Sequence, residues 1–151
     1  MINFIEEVDV TLVKLSVELE RAVIEHNLDE DGSIYVKEDG WHPYMINIDN
    51  AAGLIRFSTF ATFASAVSAL KRLKLANQLN ANNNLLTACI FDGDDCLTID
   101  YSLIFRDGLL RESFIRTCRQ FCANVKDGLK EIDHDGALLL VPGEEESGKI
   151  D

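Results

Sequence analysis

Residues 85–105, LLTACIFDGDDCLTIDYSLIF, constrain this chain more than any other stretch. Two apolar, β-rich arms flank the polar tetrapeptide Asp92-Gly93-Asp94-Asp95, and such a glycine-containing break between strand-like runs signals a hairpin. On the second arm Leu97, Ile99, Tyr101, Leu103 and Phe105 alternate with Cys96, Thr98, Asp100, Ser102 and Ile104. Side chains of a strand point alternately to the two faces, so one face of the hairpin is apolar and the other mixed. An apolar face needs a cover, and amphipathic helical patterns lie before and after it. The expected class is therefore α+β, an antiparallel sheet packed against helices.

The rest of the chain fits around that hairpin. Asn3 and Glu6 form a capping-box-like pair, and Ile5, Val8, Leu12, Leu15, Leu19 and Val23 recur at helical spacing, so a first helix is expected to end near His26-Asn27. Residues 33–38, 41–49 and 54–60 read as three strands, separated by Asp39-Gly40 and by a turn over 50–53. Pro43 cannot donate to a ladder and belongs at an edge, a strand start or a bulge. From Thr62 the period changes, and Phe63, Ala66, Val67, Leu70, Leu73 and Leu79 mark a second helix that stops at the asparagine run 80–84. After the hairpin, Phe114, Cys118, Phe121, Val125 and Leu129, joined by Ile115 and Cys122, mark a third, whose last turns Gly128 weakens. The apolar run 137–141 is expected to be anchored and residues 144–151 to form an acidic, frayed tail. The order is α-β-β-β-α-β-β-α, a single domain over residues 1–143.

Composition bounds the function. A chain of 151 residues that is 47% hydrophobic supports a real core. No apolar run approaches the roughly 18 residues of a membrane span. The segment MINFIEEVDV lacks the basic start of a signal peptide, which makes the cytoplasm the expected compartment. The formal charge of −12 opposes phosphate backbones and anionic membranes, so neither nucleic acid nor membrane is expected as a partner. Cys89, Cys96, Cys118 and Cys122 contain no CxxC pair and read as reduced core residues rather than zinc ligands.

No constellation for catalysis stands out. The acidic turns at Asp29, Asp92 and Asp133 lack the terminal bidentate carboxylate of a calcium loop. His26, His42 and His134 are scattered, and GxSxG, Walker and GxGxxG patterns are absent. The chain is accordingly read as non-enzymatic, without cofactor or metal. The cluster that invites a role is Tyr35, Trp41, Met45 and Leu54, expected on the sheet face opposite Ile34, Ile46, Ile48, Ile55 and Phe57, with Trp41 at its rim. Aromatic and methionine side chains are enriched where proteins meet partners. The alternative is that the tail or another helix covers that face, or that the strand register is shifted by one residue.

Several strings together resemble a known family: Leu79-Asn80 closing the second helix, the apolar-DGDD-apolar hairpin, and a third helix carrying Phe114 and Phe121. The run Leu138-Leu139-Leu140-Val141-Pro142 before an acidic tail completes the set. They resemble the YbjN-like family, described as bacterial sensory transduction regulators, with the fold of type III secretion chaperones. One local departure is Arg111-Glu112-Ser113, which lacks a good cap where the third helix should begin. The resemblance implies a bacterial cytosolic homodimer that binds a protein or peptide and performs no catalysis. Two other readings stay open: a small-molecule sensor with a pocket between sheet and helices, and an acidic mimic of nucleic acid that blocks a basic site.

Overall fold

The computed structural model describes residues 3–142. In chain order it contains β1 (Phe4–Ile5), α1 (Leu12–Arg21), β2 (His26–Leu28), β3 (Ile34–Val36), β4 (Tyr44–Asp49) and β5 (Leu54–Phe63). Then come α2 (Ala69–Asn82), β6 (Thr87–Cys89), β7 (Cys96–Ile104), β8 (Leu109–Leu110), α3 (Arg111–Ile132) and β9 (Leu139–Leu140). The main sheet runs β2-β3-β4-β5-β7-β6, with β9 beside the end of β5, while β1 and β8 form a separate pair. All pairings are antiparallel. This is the α+β class that the pattern implies, an antiparallel sheet with its helices on one side.

The longest pairing is β5 with β7, from Leu54 opposite Ile104 to Thr62 opposite Cys96. It places Ile55, Phe57, Ala61, Leu97 and Ile99 on one face, all buried. Ile34, Val36, Tyr44 and Ile46 continue that face across β3 and β4. Phe114 and Phe121 of α3 close on it: their ring centroids lie 6.2 and 5.8 Å from Phe57, and Tyr44 meets Phe121 edge-on at 5.3 Å. Such aromatic contacts add about 0.5–1.5 kcal/mol each beyond the area they bury. Leu15 and Leu19 of α1 and Leu75 and Leu79 of α2 join the same core.

Several boundaries differ from the sequence pattern. Helix α1 starts at Leu12 because the Thr11 hydroxyl accepts the Lys14 N–H at 3.2 Å. It closes with the Ile24 N–H donating to the Leu19 carbonyl and Val23 N–H to Glu20, a Schellman turn that puts Val23 at φ 58°. The stripe from Ile5 to Val23 is therefore not one helix. Ile5 pairs with Leu109, Val8 and Val23 are exposed, and His26 opens β2. Helix α2 begins seven residues after the expected Thr62, since β5 stays paired with β7 up to Thr62 and Ser68 supplies the cap. Its buried face is Leu75, Ala76 and Leu79, whereas Leu70 and Leu73 are exposed. The expected strand from Trp41 starts only at Tyr44, because the Trp41 N–H closes a turn on the Glu38 carbonyl.

Two features fix α3. Its start has no side-chain cap; instead the Arg111 N–H donates to the carbonyl of Asn3, just before β1. Near its end Gly128 faces Leu79 of α2, and a Cβ there would lie 2.6 Å from the Leu79 Cδ1. The glycine that weakens the helix by propensity thus lets α2 pack close. Beyond α3, the Asp133 carboxylate accepts the N–H groups of Ala137, Leu138 and Leu139, steering Leu139 to pair with Phe63. The apolar run is anchored as the pattern implies; the acidic tail at 144–151 lies outside the described residues.

Candidate functional site

The face of the sheet opposite the helices is open. Register assigns to it Tyr35, Met45, Asn47, Asp49, Leu54, Arg56, Ser58 and Phe60. From β6 and β7 it takes Cys89, Thr98, Asp100, Ser102 and Ile104. None of these is buried. Tyr35, Phe60 and Ile104 are 40%, 47% and 67% exposed, large apolar groups that a closed layer would have covered.

Of the residues singled out from the sequence, the structure brings Tyr35 and Met45 together as direct cross-strand partners. The Tyr35 hydroxyl donates to Asp31 at 3.1 Å, which, with burial and nearby carboxylates, holds its pKa above the ordinary tyrosine value. Leu54 shares this face but sits at the far end of β5, opposite Asp49 and Ile104. Trp41 does not join them. It lies in the turn before β4, with the Lys126 Nζ of α3 5.3 Å from its ring centroid, so it belongs to the helix side. The strict alternation read from Trp41 to Asp49 failed there because a turn, not a strand, precedes Pro43. Phe60 and Ile104 were missed, although the period-2 pattern of their strands already placed them on this face.

Polar groups on the open face are few and mostly matched. Arg56 pairs with Asp49 at 3.2 Å. Asp100 has no ion-pair partner among the described residues, and partial burial raises its pKa, with Arg56 opposing. Cys89 and Cys96 lie here, whereas Cys118 and Cys122 are buried on α3. The sheet separates the two pairs, so the four thiols do not converge. Burial pushes Cys118 up to about 12, which makes it a packed thiol rather than a nucleophile.

Trp41 lines a second feature, a cleft of about 700 Å³ between the 37–43 turn, the end of α3 and β9. Here β4 has not yet begun and β9 has not yet joined, so a stretch of the β5 edge lacks a strand partner. Side chains fill in: the His42 Nε2 bonds to the Phe60 carbonyl at 3.2 Å, and the Thr59 hydroxyl donates to the Pro43 carbonyl at 2.7 Å. Burial lowers the His42 pKa, partly offset by that bond to Phe60. The imidazole is therefore neutral at neutral pH, with Nε2 as the donor. Among the described residues no three His, Cys, Asp or Glu side chains converge as a metal site would need.

An antiparallel sheet with three helices on one face and the other face open defines an α+β domain built around a single sheet. The chain belongs to the YbjN family, described as "Putative bacterial sensory transduction regulator", whose model matches residues 11–134. Among solved structures it is similar to YbjN of E. coli, described as "a putative transcription regulator". The TM-score is 0.69 at 22% identity, covering 85% of this chain and 95% of that one. At that identity the likeness is one of fold. No curated protein matches the chain. The family description is that of a regulator, and among the described residues no helix is long and apolar enough to cross a membrane.

Proposed function

We propose that this protein is a non-enzymatic regulator that works by binding a polypeptide on the open face of its sheet, as a chaperone-like adaptor in the cytoplasm. The observation that carries this reading is the exposure of Tyr35, Phe60 and Ile104 on a face that no helix covers among the described residues. Met45 and Leu54 extend the apolar contact, and the pair Arg56–Asp49 supplies a polar rim. Such a surface recognises apolar side chains of an extended or helical partner segment. The homodimer implied by the family resemblance belongs to the same reading, and light scattering tests it against twice the chain mass of 16.9 kDa.

The test is affinity capture from the native host's lysate with the wild type and with a Phe60→Asp/Ile104→Asp variant, followed by mass spectrometry. Both positions are exposed, so the fold survives the change. A partner held by the wild type and lost by the variant supports the open face. The same proteins captured by both would reject it.

A further inference from the structure

Helix α2 carries two stripes. Leu75, Ala76 and Leu79 face the core, while Leu70, Leu73, Lys74 and Asn77, spaced i, i+3, i+4 and i+7, share the outward side. Leu70 and Leu73 are 63% and 55% exposed there, with the exposed Lys71 and Lys74 beside them. The charge on this helix has one sign. Its charged residues are Lys71, Arg72 and Lys74, in a chain of formal charge −12 whose acids all lie outside residues 50–91. Arg72 is engaged within the protein: it pairs with Asp95 at 3.2 Å, donates to the Val67 carbonyl at 3.0 Å and covers the Phe63 ring. Among the described residues, neither Lys71 nor Lys74 has a carboxylate within ion-pair distance.

This placement works against the helix itself. The N-terminal end of a helix carries partial positive charge, so acids stabilise its first turns and bases its last. Helix α2 has no acid in its first turn and no base in its last, and its three bases all fall within residues 69–74. Local rules of this kind are broken where a surface serves binding. We infer that the outward stripe of α2 docks an acidic amphipathic segment of a partner protein. Apolar side chains of that segment rest on Leu70 and Leu73, and its carboxylates meet Lys71 and Lys74. A second copy of the same face would set lysine against lysine. A nucleic acid or an anionic membrane would meet the charge of the whole chain. A short segment meets the local charge, because charges beyond about 8–10 Å are screened at physiological salt. The stripe lies on the helix side of the sheet, so this site is separate from the open face and does not depend on it.

The probe is a synthetic amphipathic peptide as long as α2, with leucines along one face flanked by glutamates, compared with its glutamine counterpart. Binding to the full chain is followed by fluorescence anisotropy of the labelled peptide and by amide shifts in NMR spectra. The glutamate peptide should bind and shift the amides of residues 70–78. The glutamine peptide should bind about tenfold more weakly, and high salt should remove the difference. Leu70→Ser/Leu73→Ser should lose binding with an unchanged circular dichroism spectrum, both positions being exposed. Lys71→Glu/Lys74→Glu should lose binding while its melting temperature rises, because acids then sit at the positive end of the helix. A purely structural role would not separate those two readouts. Equal binding of the two peptides overturns the inference, as does undiminished binding by the Lys71→Glu/Lys74→Glu variant. Shifts confined to the open sheet face, or no binding at all, overturn it too. A preference for phosphatidylglycerol vesicles over the peptide would assign the stripe to a membrane instead. A wild-type dimer that Leu70→Ser/Leu73→Ser turns into a monomer would assign it to a second copy, and either result overturns the acidic partner.

Discussion

The Asn80 side chain occupies the free edge of β6: its Nδ2 donates to the Ala88 carbonyl at 2.9 Å, and its Oδ1 accepts the Ala88 N–H at 2.7 Å. One amide thus satisfies both backbone groups that a further strand would pair with. A bare edge invites association with other chains, and here a helix side chain closes it. Asn80→Ala should cost about 1–3 kcal/mol, since two hydrogen bonds to a buried residue are lost, and should raise the tendency to self-associate. Asn80→Asp keeps the acceptor but sets a carboxylate oxygen against the Ala88 carbonyl, so at neutral pH it should destabilise at least as much as Asn80→Ala. Thermal melts and concentration-dependent light scattering measure both. Melts equal to the wild type would show that β6 needs no such cap.

Leu79 and Gly128 set how closely α2 and α3 pack. The Cβ that Gly128→Ala adds would meet the Leu79 Cδ1 at 2.6 Å, a distance side chains do not tolerate. Overpacking typically costs about 1–3 kcal/mol, and the helix propensity gained from glycine to alanine returns roughly 1 kcal/mol of that. Net destabilisation in denaturant melts is expected. In the Gly128→Ala/Leu79→Ala double variant the two costs should be less than additive, because the clash and the cavity cancel in part. A stabilised Gly128→Ala protein would mean that the helices separate without penalty.

These two contacts show what was legible in the sequence and what was not. The strands of the hairpin and the face of α3 that meets the sheet follow from periodicity alone: Leu97 and Ile99 are buried, as are Phe114, Cys118, Phe121 and Val125. Periodicity did not mark where elements stop. Thr11 rather than Asn3 caps α1, and the stripe through Ile5 and Val23 crosses a strand, a turn and a helix whose apolar positions happen to share spacing. Leu79 was marked as an apolar helix position and is buried, but Asn80 was read only as a helix stop and a part of the family likeness; its role as an edge cap needs the tertiary structure. The open face was half legible. Tyr35, Met45 and Leu54 were placed by strand parity, but Trp41 was carried along by an alternation that a turn had already ended.

Val23 sits in the left-handed region at φ 58° and is 85% exposed. A β-branched residue there is strained, by about 1–2 kcal/mol relative to its preferred conformations. Val23→Asn keeps the Schellman hydrogen bonds from Val23 and Ile24 N–H, suits that conformation and removes an exposed apolar group. The melting temperature should rise by a few degrees. No rise, with the fold intact, would mean that the turn relaxes at no cost.

Cys118 is buried against Tyr44, and desolvation raises its pKa to about 12. The thiolate is the reactive form, so Cys118 should resist maleimide at pH 7 until the protein unfolds, whereas the half-buried Cys96 should react in the native state. Mass spectrometry of tryptic peptides after timed labelling separates the sites. Rapid native labelling of Cys118 would show that α3 opens away from the sheet.

His42 gives the fold a dependence on pH whose sign is fixed. Burial lowers its folded-state pKa below the ordinary 6.5, so the unfolded chain takes up a proton first as the pH falls. Stability from this group is present in full above about pH 6.5 and is lost as the pH drops toward the folded pKa. The neutral ring is also what bridges the β5 edge through its Nε2 bond to the Phe60 carbonyl. His42→Gln keeps a neutral donor at every pH. Its stability in urea should therefore change less than that of the wild type between pH 7 and pH 5. Parallel pH profiles for the two proteins would mean that His42 titrates alike folded and unfolded.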